Sequence, residues 1–221
     1  MSVVENILVT GFGPFGEHKE NASWEAVSSL PNEIKGFNVV KKQIPVIYTH
    51  VEVNIPNLWQ EYNPKLVVHV GVSSYTNAIQ IETRANKKGY ERKDILNVCP
   101  TNSQANPCNE ESNNDCIETS LCASTICNHL KEALNIQTVI SRDAGRYLCE
   151  FIYYTSLNID KKRTLFIHVP PVDKPYTKTE LAHALEEIIK CGLELVFKNE
   201  ENNYSSTAAT IYKNGRAAAV F

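Results

Sequence analysis

Three residues able to do chemistry stand at or near the ends of apolar runs in this 221-residue chain: Glu82, Cys149 and His168. Cys149 follows Asp143-Ala144-Gly145-Arg146-Tyr147-Leu148. Ala144-Gly145 lets the backbone turn closely, and the pattern predicts a helix from 145 to about 157 with Cys149 in its first turn or so. The positive end of the helix dipole there favours the thiolate, which is the nucleophilic form of cysteine. The competing reading is a thiol that fills space on an apolar helix face, the commonest fate of a free cysteine. His168 sits in the apolar run 164–169 and His69 sits inside Val67-Val68-His69-Val70. Each is either a base or a satisfied core histidine, and spacing alone does not choose between them. Glu82 alternates with Ile79 and Ile81, so its side chain faces away from theirs, toward a site or toward water. Together a thiol and an imidazole would make a nucleophilic hydrolase, with the base activating the thiol.

The elements that must position these groups alternate between strand-like and helix-like patterns. Apolar runs at 7–10, 37–43, 66–71, 78–83, 138–141 and 164–169 read as strands. Helices are expected at about 21–30, 49–62 (with Pro56 marking a bend or a new start), 117–134, 145–157 and 177–199. Thr177 with Glu180 three residues on is a capping box for the last of these. This alternation predicts one α/β domain over 1–221, built as three layers. Ligands in such sheets gather beyond the carboxyl ends of the strands, which draws attention to the residues just after each strand. The segment 84–115 is rich in Asn, Lys, Glu and Pro and carries little periodicity, as a lid or a partly disordered loop would. Residues 201–221 show no clear pattern and are expected to form a loose tail.

Composition excludes several classes of function. The 22 basic and 25 acidic residues give a net charge of −3 without a basic stripe, so nucleic acid is not an expected partner. No run approaches the ~18 apolar residues of a membrane span, and the first residues lack the pattern of a signal peptide. The expected location is therefore cytoplasmic. Seven cysteines at irregular spacing are expected to stay thiols in that compartment. Cys99, Cys108 and Cys116, with Cys122 and Cys127, raise zinc as an alternative, although no pair shows CxxC spacing. The loop Gly11-Phe12-Gly13-Pro14-Phe15-Gly16 lacks both the GxGxxG spacing and the Lys-Ser/Thr of a phosphate cradle. Its two phenylalanines suit a flat, neutral ligand.

At these residues the chain resembles the pyroglutamyl-peptidase I family, also called pyrrolidone-carboxylate peptidases. The resemblance rests on Leu8-Val9-Thr10-Gly11-Phe12-Gly13-Pro14-Phe15-Gly16, Asn21-Ala22-Ser23-Trp24-Glu25-Ala26-Val27, Val67-Val68-His69-Val70-Gly71-Val72-Ser73, Asp143-Ala144-Gly145-Arg146-Tyr147-Leu148-Cys149 and Phe166-Ile167-His168-Val169-Pro170-Pro171. These stretches occur in family order from residue 7 to about 195, and Arg146-Tyr147 before the cysteine is similar to the animal branch. The resemblance implies a three-layer α/β/α sandwich around a mixed sheet, of the phosphorylase/hydrolase-like kind. It implies a cysteine exopeptidase that releases N-terminal pyroglutamate, with Cys149 as nucleophile, His168 as base and Glu82 as the orienting acid, and it makes His69 structural. Phe12 and Phe15 would line the slot for the lactam, with Asn21 and the backbone around Gly71 and Val72 as polar partners. Arg92 falls where bacterial members carry an arginine near the catalytic centre. The resemblance implies no metal and no cofactor, pyroglutamyl peptides as partners, and a monomer, as in animal members.

Overall fold

The structure is a computed structural model that describes residues 4–15, 20–105 and 114–216, and of 203–216 the backbone alone. Its strands are β1 (Asn6–Phe12), β2 (Glu33–Ile34), β3 (Phe37–Ile44), β4 (Leu66–Val72), β5 (Ile79–Glu82), β6 (Arg84–Asn86), β7 (Cys116–Glu118), β8 (Thr138–Ser141) and β9 (Thr164–Val169). Seven of them form one sheet in the order β2-β3-β1-β4-β9-β5-β8, while β6 and β7 pair separately. The strands β3, β1, β4 and β9 run parallel, and β2, β5 and β8 run against them. The central sheet is thus mixed, as expected.

Strands covered on both faces read as continuous apolar runs because alternate side chains enter different cores. Ile7, Val9, Val68, Ile81 and Ile167 enter one core. The helices α1 (Ala22–Ser28), α3 (Ala123–Leu134) and α5 (Lys178–Arg216) cover that face. Leu8, Val67 and Phe166 enter the other core, under α2 (Tyr48–Tyr62) and α4 (Leu148–Asp160). Thr10, His69, Glu82 and His168 share the alternation of this second set, so these four polar residues face the α2/α4 layer. This three-layer arrangement puts the potential chemistry on one side of the sheet.

Several expectations need correction. Pro56 does not break α2, which runs through it. Tyr48, Val51, Ile55 and Trp59 bury one continuous face across the proline, and that burial outweighs the missing backbone bond. Segment 84–105 is not structureless. It starts in the β6–β7 pair, and Tyr90 inserts fully buried between Tyr48 and Phe151, with ring centroids 6.3 and 5.2 Å away. One carboxylate organises the rest: Asp94 accepts from the amides of Tyr48, Leu96 and Val98. A single buried aromatic and a single capping carboxylate leave no periodicity for a sequence pattern to register. Residues 106–113, with Cys108, lie outside the described residues. The expected loose tail is helix as far as Arg216, because α5 continues past residue 199. No proline interrupts that stretch, and adding residues to an existing helix is far easier than starting one. Residues 217–221 of the expected tail are not among those described.

Candidate active site

The site forms where β4 and β9 lie side by side, in a register that pairs Gly71 with His168. A Cβ at Gly71 would stand 2.7 Å from Cys149 Sγ, 2.9 Å from Phe166 and 3.2 Å from His168 Cδ2. Only a residue without a side chain allows the thiol to lie over the strand beside the imidazole. His168 Nδ1 is 2.8 Å from Glu82 Oε1, so Nε2 remains for the thiol. Glu82 is 0% exposed and its Oε2 has no hydrogen-bond partner among the described residues, which leaves the His168 contact as the carboxylate's one directed bond. Burial alone would depress the His168 imidazolium. The charge and hydrogen bond of Cys149, then those of Glu82, overcome this and push its pKa up to about 10. The geometry suits a thiolate–imidazolium pair.

Strand direction explains how Glu82 arrives there. Because β5 is antiparallel to β9, Gln80 lies opposite His168 and Glu82 opposite Phe166, one step deeper. Glu82 therefore reaches Nδ1 sideways from a neighbouring strand. The rule that places function beyond carboxyl ends does not account for it, since β5 and β8 run against the strands that flank the thiol.

The backbone before Cys149 is held by a second carboxylate. Gly145 and Arg146 adopt positive φ (90° and 39°), which turns the chain into α4. Glu150, 0% exposed, accepts from the Arg146 amide (3.1 Å), from Arg146 Nη1 at both oxygens (2.9 and 2.8 Å), and from the Asn86 amide and Nδ2 (3.1 and 2.8 Å). Segment 84–86 and the turn are thereby locked to the residue next to Cys149. The expected helix start at 145 moves to Leu148, because 145–147 are extended or left-handed rather than helical. The N-cap, Tyr147, makes no side-chain cap. The first amides of α4 are thus open to an incoming oxyanion.

A cleft of about 550 Å³ opens onto the thiol. Phe12, Phe15, Asn21 and Val72 line it together with Cys149 and His168, and Gly71 lies beneath the thiol. Asn21 is committed to the fold: Oδ1 accepts from the Ser23 amide and hydroxyl, and Nδ2 donates to the Gly13 carbonyl at 3.1 Å. It shapes the phenylalanine loop and starts α1. Arg92 also lines the cleft and stacks on Tyr147, 4.3 Å from the ring centroid.

His69 lies elsewhere. Its Nδ1 meets Thr10 Oγ1 and its Nε2 meets Ser156 Oγ, each at 2.7 Å, and Trp59 Nε1 donates to the same Ser156 oxygen at 3.0 Å. Indole can only donate. Ser156 accepts from Trp59, and the Thr10 and Ser156 hydroxyls, each able to donate or accept, pair both ring nitrogens of His69. Full burial lowers its pKa to about 3, so it is neutral. It belongs to the core.

Comparison with known proteins gives the family. The family model described as pyroglutamyl peptidase matches residues 5–190. The chain belongs to the pyroglutamyl peptidase family. Human pyroglutamyl-peptidase 1 is 41% identical over 197 residues, 88% of this chain and 92% of that protein. The pyrrolidone-carboxylate peptidase of Thermococcus onnurineus is 33% identical, covering 87% and 96%. The structure of the pyrrolidone carboxyl peptidase from Thermococcus litoralis superposes with a TM-score of 0.79 over 89% of this chain and 96% of its own, at 21% identity, a likeness of fold. The human and rodent relatives place the chain with the animal-like members.

The family match spans Glu82, Cys149, His168 and the whole cleft lining. Ser73, Asp143 and Tyr147 of the lining stand just after strands, where the sequence directs attention, whereas Val46, Ser74, Tyr75 and Gln80 are lining residues that the sequence reading does not single out. Of these four, Gln80 carries a usable signal, since it alternates with Glu82 and so shares its face. The others reach the cleft through loop paths that no period describes.

Proposed function

We propose that Cys149, His168 and Glu82 carry out the reaction of this family in the cleft. The chain is a cysteine-type pyroglutamyl peptidase, removing the N-terminal pyroglutamyl residue from peptides. The supporting observation is the Cys149 thiol lying over Gly71, beside an imidazole whose Nδ1 is bound by the buried Glu82. The Cys149 thiolate attacks the pyroglutamyl carbonyl carbon, and the amides at the start of α4 receive the oxyanion. As the C–N bond breaks, His168 gives its Nε2 proton to the departing nitrogen. Neutral His168 then takes a proton from water, which attacks the thioester and releases pyroglutamate. Glu82 orients the imidazole and stabilises its charge throughout.

Specificity follows from the neutral lactam. An ordinary aminopeptidase anchors an ammonium with a carboxylate, which would gain nothing here. Phe12, Phe15 and Val72 instead supply a flat apolar slot, and Asn21 holds its loop in place. A cytoplasmic monomer acting as one catalytic domain is part of this reading, and sedimentation and localisation would check it.

The test is release of fluorophore from a pyroglutamyl-linked amide, beside the alanyl and prolyl analogues, by reduced protein. Turnover of the pyroglutamyl substrate alone is the expected result. No turnover would sink the assignment, and turnover of the other two would mean a related hydrolase of altered specificity. Cys149→Ser should keep the fold and lose at least about 10³-fold in activity.

A further inference from the structure

The order of strands lays the substrate out across the site. From β1 through β4 and β9 to β5, neighbouring strands are about 4.8 Å apart, so Phe12 on β1 and Gln80 on β5 are separated by roughly 14 Å. Gly71 with Cys149 above it, and then His168, lie between them. The scissile bond must sit over Cys149. With the pyroglutamyl ring on the phenylalanine side, the departing peptide has to cross His168 and continue over β5.

Gln80 is the residue waiting there. It lies directly opposite His168 in an antiparallel pair, where Cβ atoms are about 4.5–5.5 Å apart and side chains share a face. It is half-buried and lines the cleft. Asn21 of the lining is engaged with Gly13 and Ser23, Arg92 with Tyr147, and Asp143 with Arg146, while the hydroxyls of Ser73, Ser74 and Tyr75 belong to residues that do not pair with His168 in the sheet. The side-chain amide of Gln80 has no hydrogen-bond partner among the described residues. Glu82, two residues on, is spent on His168.

We propose that Gln80 is a specificity-determining residue that binds the backbone of the leaving peptide. The inference rests on the pyroglutamyl peptidase reading above. During bond cleavage the departing nitrogen lies within about 3 Å of His168 Nε2, and the carbonyl of the residue it belongs to is two bonds further on. A glutamine amide both donates and accepts, which matches the carbonyl of that first leaving residue and the N–H of the next. The predicted preference is for peptides with at least two residues after pyroglutamate over leaving groups that lack a peptide unit.

The experiment compares kcat/KM for a pyroglutamyl-dipeptide amide and a pyroglutamyl-aminomethylcoumarin, using the full chain and Gln80→Met, a side chain of similar length without hydrogen bonding. The ratio of the two values is independent of the fraction of active enzyme. The ratio should fall about tenfold in the variant, the effect of one or two lost hydrogen bonds. A dipeptide amide methylated at its second peptide nitrogen should lose activity with the unmutated chain and show a smaller loss with Gln80→Met. An unchanged ratio in an active enzyme would overturn the proposal alone. No turnover of either substrate by the unmutated chain would overturn the parent reading and this one with it.

Discussion

At the residue scale, the site depends on one missing side chain and one raised pKa. Adding a methyl at Gly71 would place carbon 2.7 Å from the Cys149 sulfur, against a strand that cannot retreat because β9 and β1 flank it. Gly71→Ala should therefore displace the thiol and lower kcat by about 10²-fold or more, a typical loss for a misplaced reacting group. Near-normal far-UV dichroism with lost activity would bear this out, and full activity would refute the placement of the sulfur. His168 titrates upward, so its proton is held between about pH 6.5 and 10, the range in which an ordinary histidine would already be neutral. The stabilisation from that ionisation is complete below about 6.5 and is lost as pH rises through 10. The alkaline limb of kcat/KM should accordingly lie well above pH 7. Glu82→Gln removes one of the causes of the shift, so it should move that limb downward and reduce kcat by about 10²-fold. An unmoved limb would show that Glu82 does not act on His168.

At the element scale, α4 carries both the nucleophile and the core's polar tie. One end is fixed by Glu150 against Arg146 and Asn86. Further along, Ser156 binds His69 of β4 and Trp59 of α2. Ser156→Ala would leave the indole N–H and the His69 Nε2 unpaired in the interior, costing about 2–6 kcal/mol in chemical denaturation, since each orphaned group costs about 1–3. A cost below about 0.5 kcal/mol would contradict the network. Because His69 is neutral in the fold and its pKa lies near 3, the unfolded chain binds the extra proton below about pH 6.5. Stability should fall with acidification from pH 6.5 toward 3, by up to about 1.4 kcal/mol per pH unit from this group.

At the scale of the whole molecule, two cores share one sheet. Trp24 packs against the α1/α3/α5 core and Trp59 lies in the α2/α4 core. Neither layer can lose the sheet without exposing the other, so unfolding is expected to be one cooperative transition. In Trp24→Phe the fluorescence reports only Trp59, and in Trp59→Phe only Trp24. In each variant the fluorescence and far-UV midpoints should coincide, whereas separated midpoints would mean that the layers unfold independently.

Much of this was legible along the chain because it depends on local periods. Continuous apolar runs announced strands covered on both faces. Thr177 and Glu180 announced the capping box that opens α5, which forms with both reciprocal bonds. Tight turning at Ala144-Gly145 announced a thiol at a helix start. The choice between His69 and His168 was not legible, since two histidines in apolar strands look alike until one meets Thr10 and Ser156 and the other meets Glu82. Nor was the order of Tyr90 and Asp94, each a single anchor in a polar stretch. Strand direction was the other hidden quantity: β5 running against β9 is what brings Glu82 beneath His168 and leaves Gln80 beside it. Periodicity assigns a side chain to a face, but only the pairing of distant strands assigns it a neighbour.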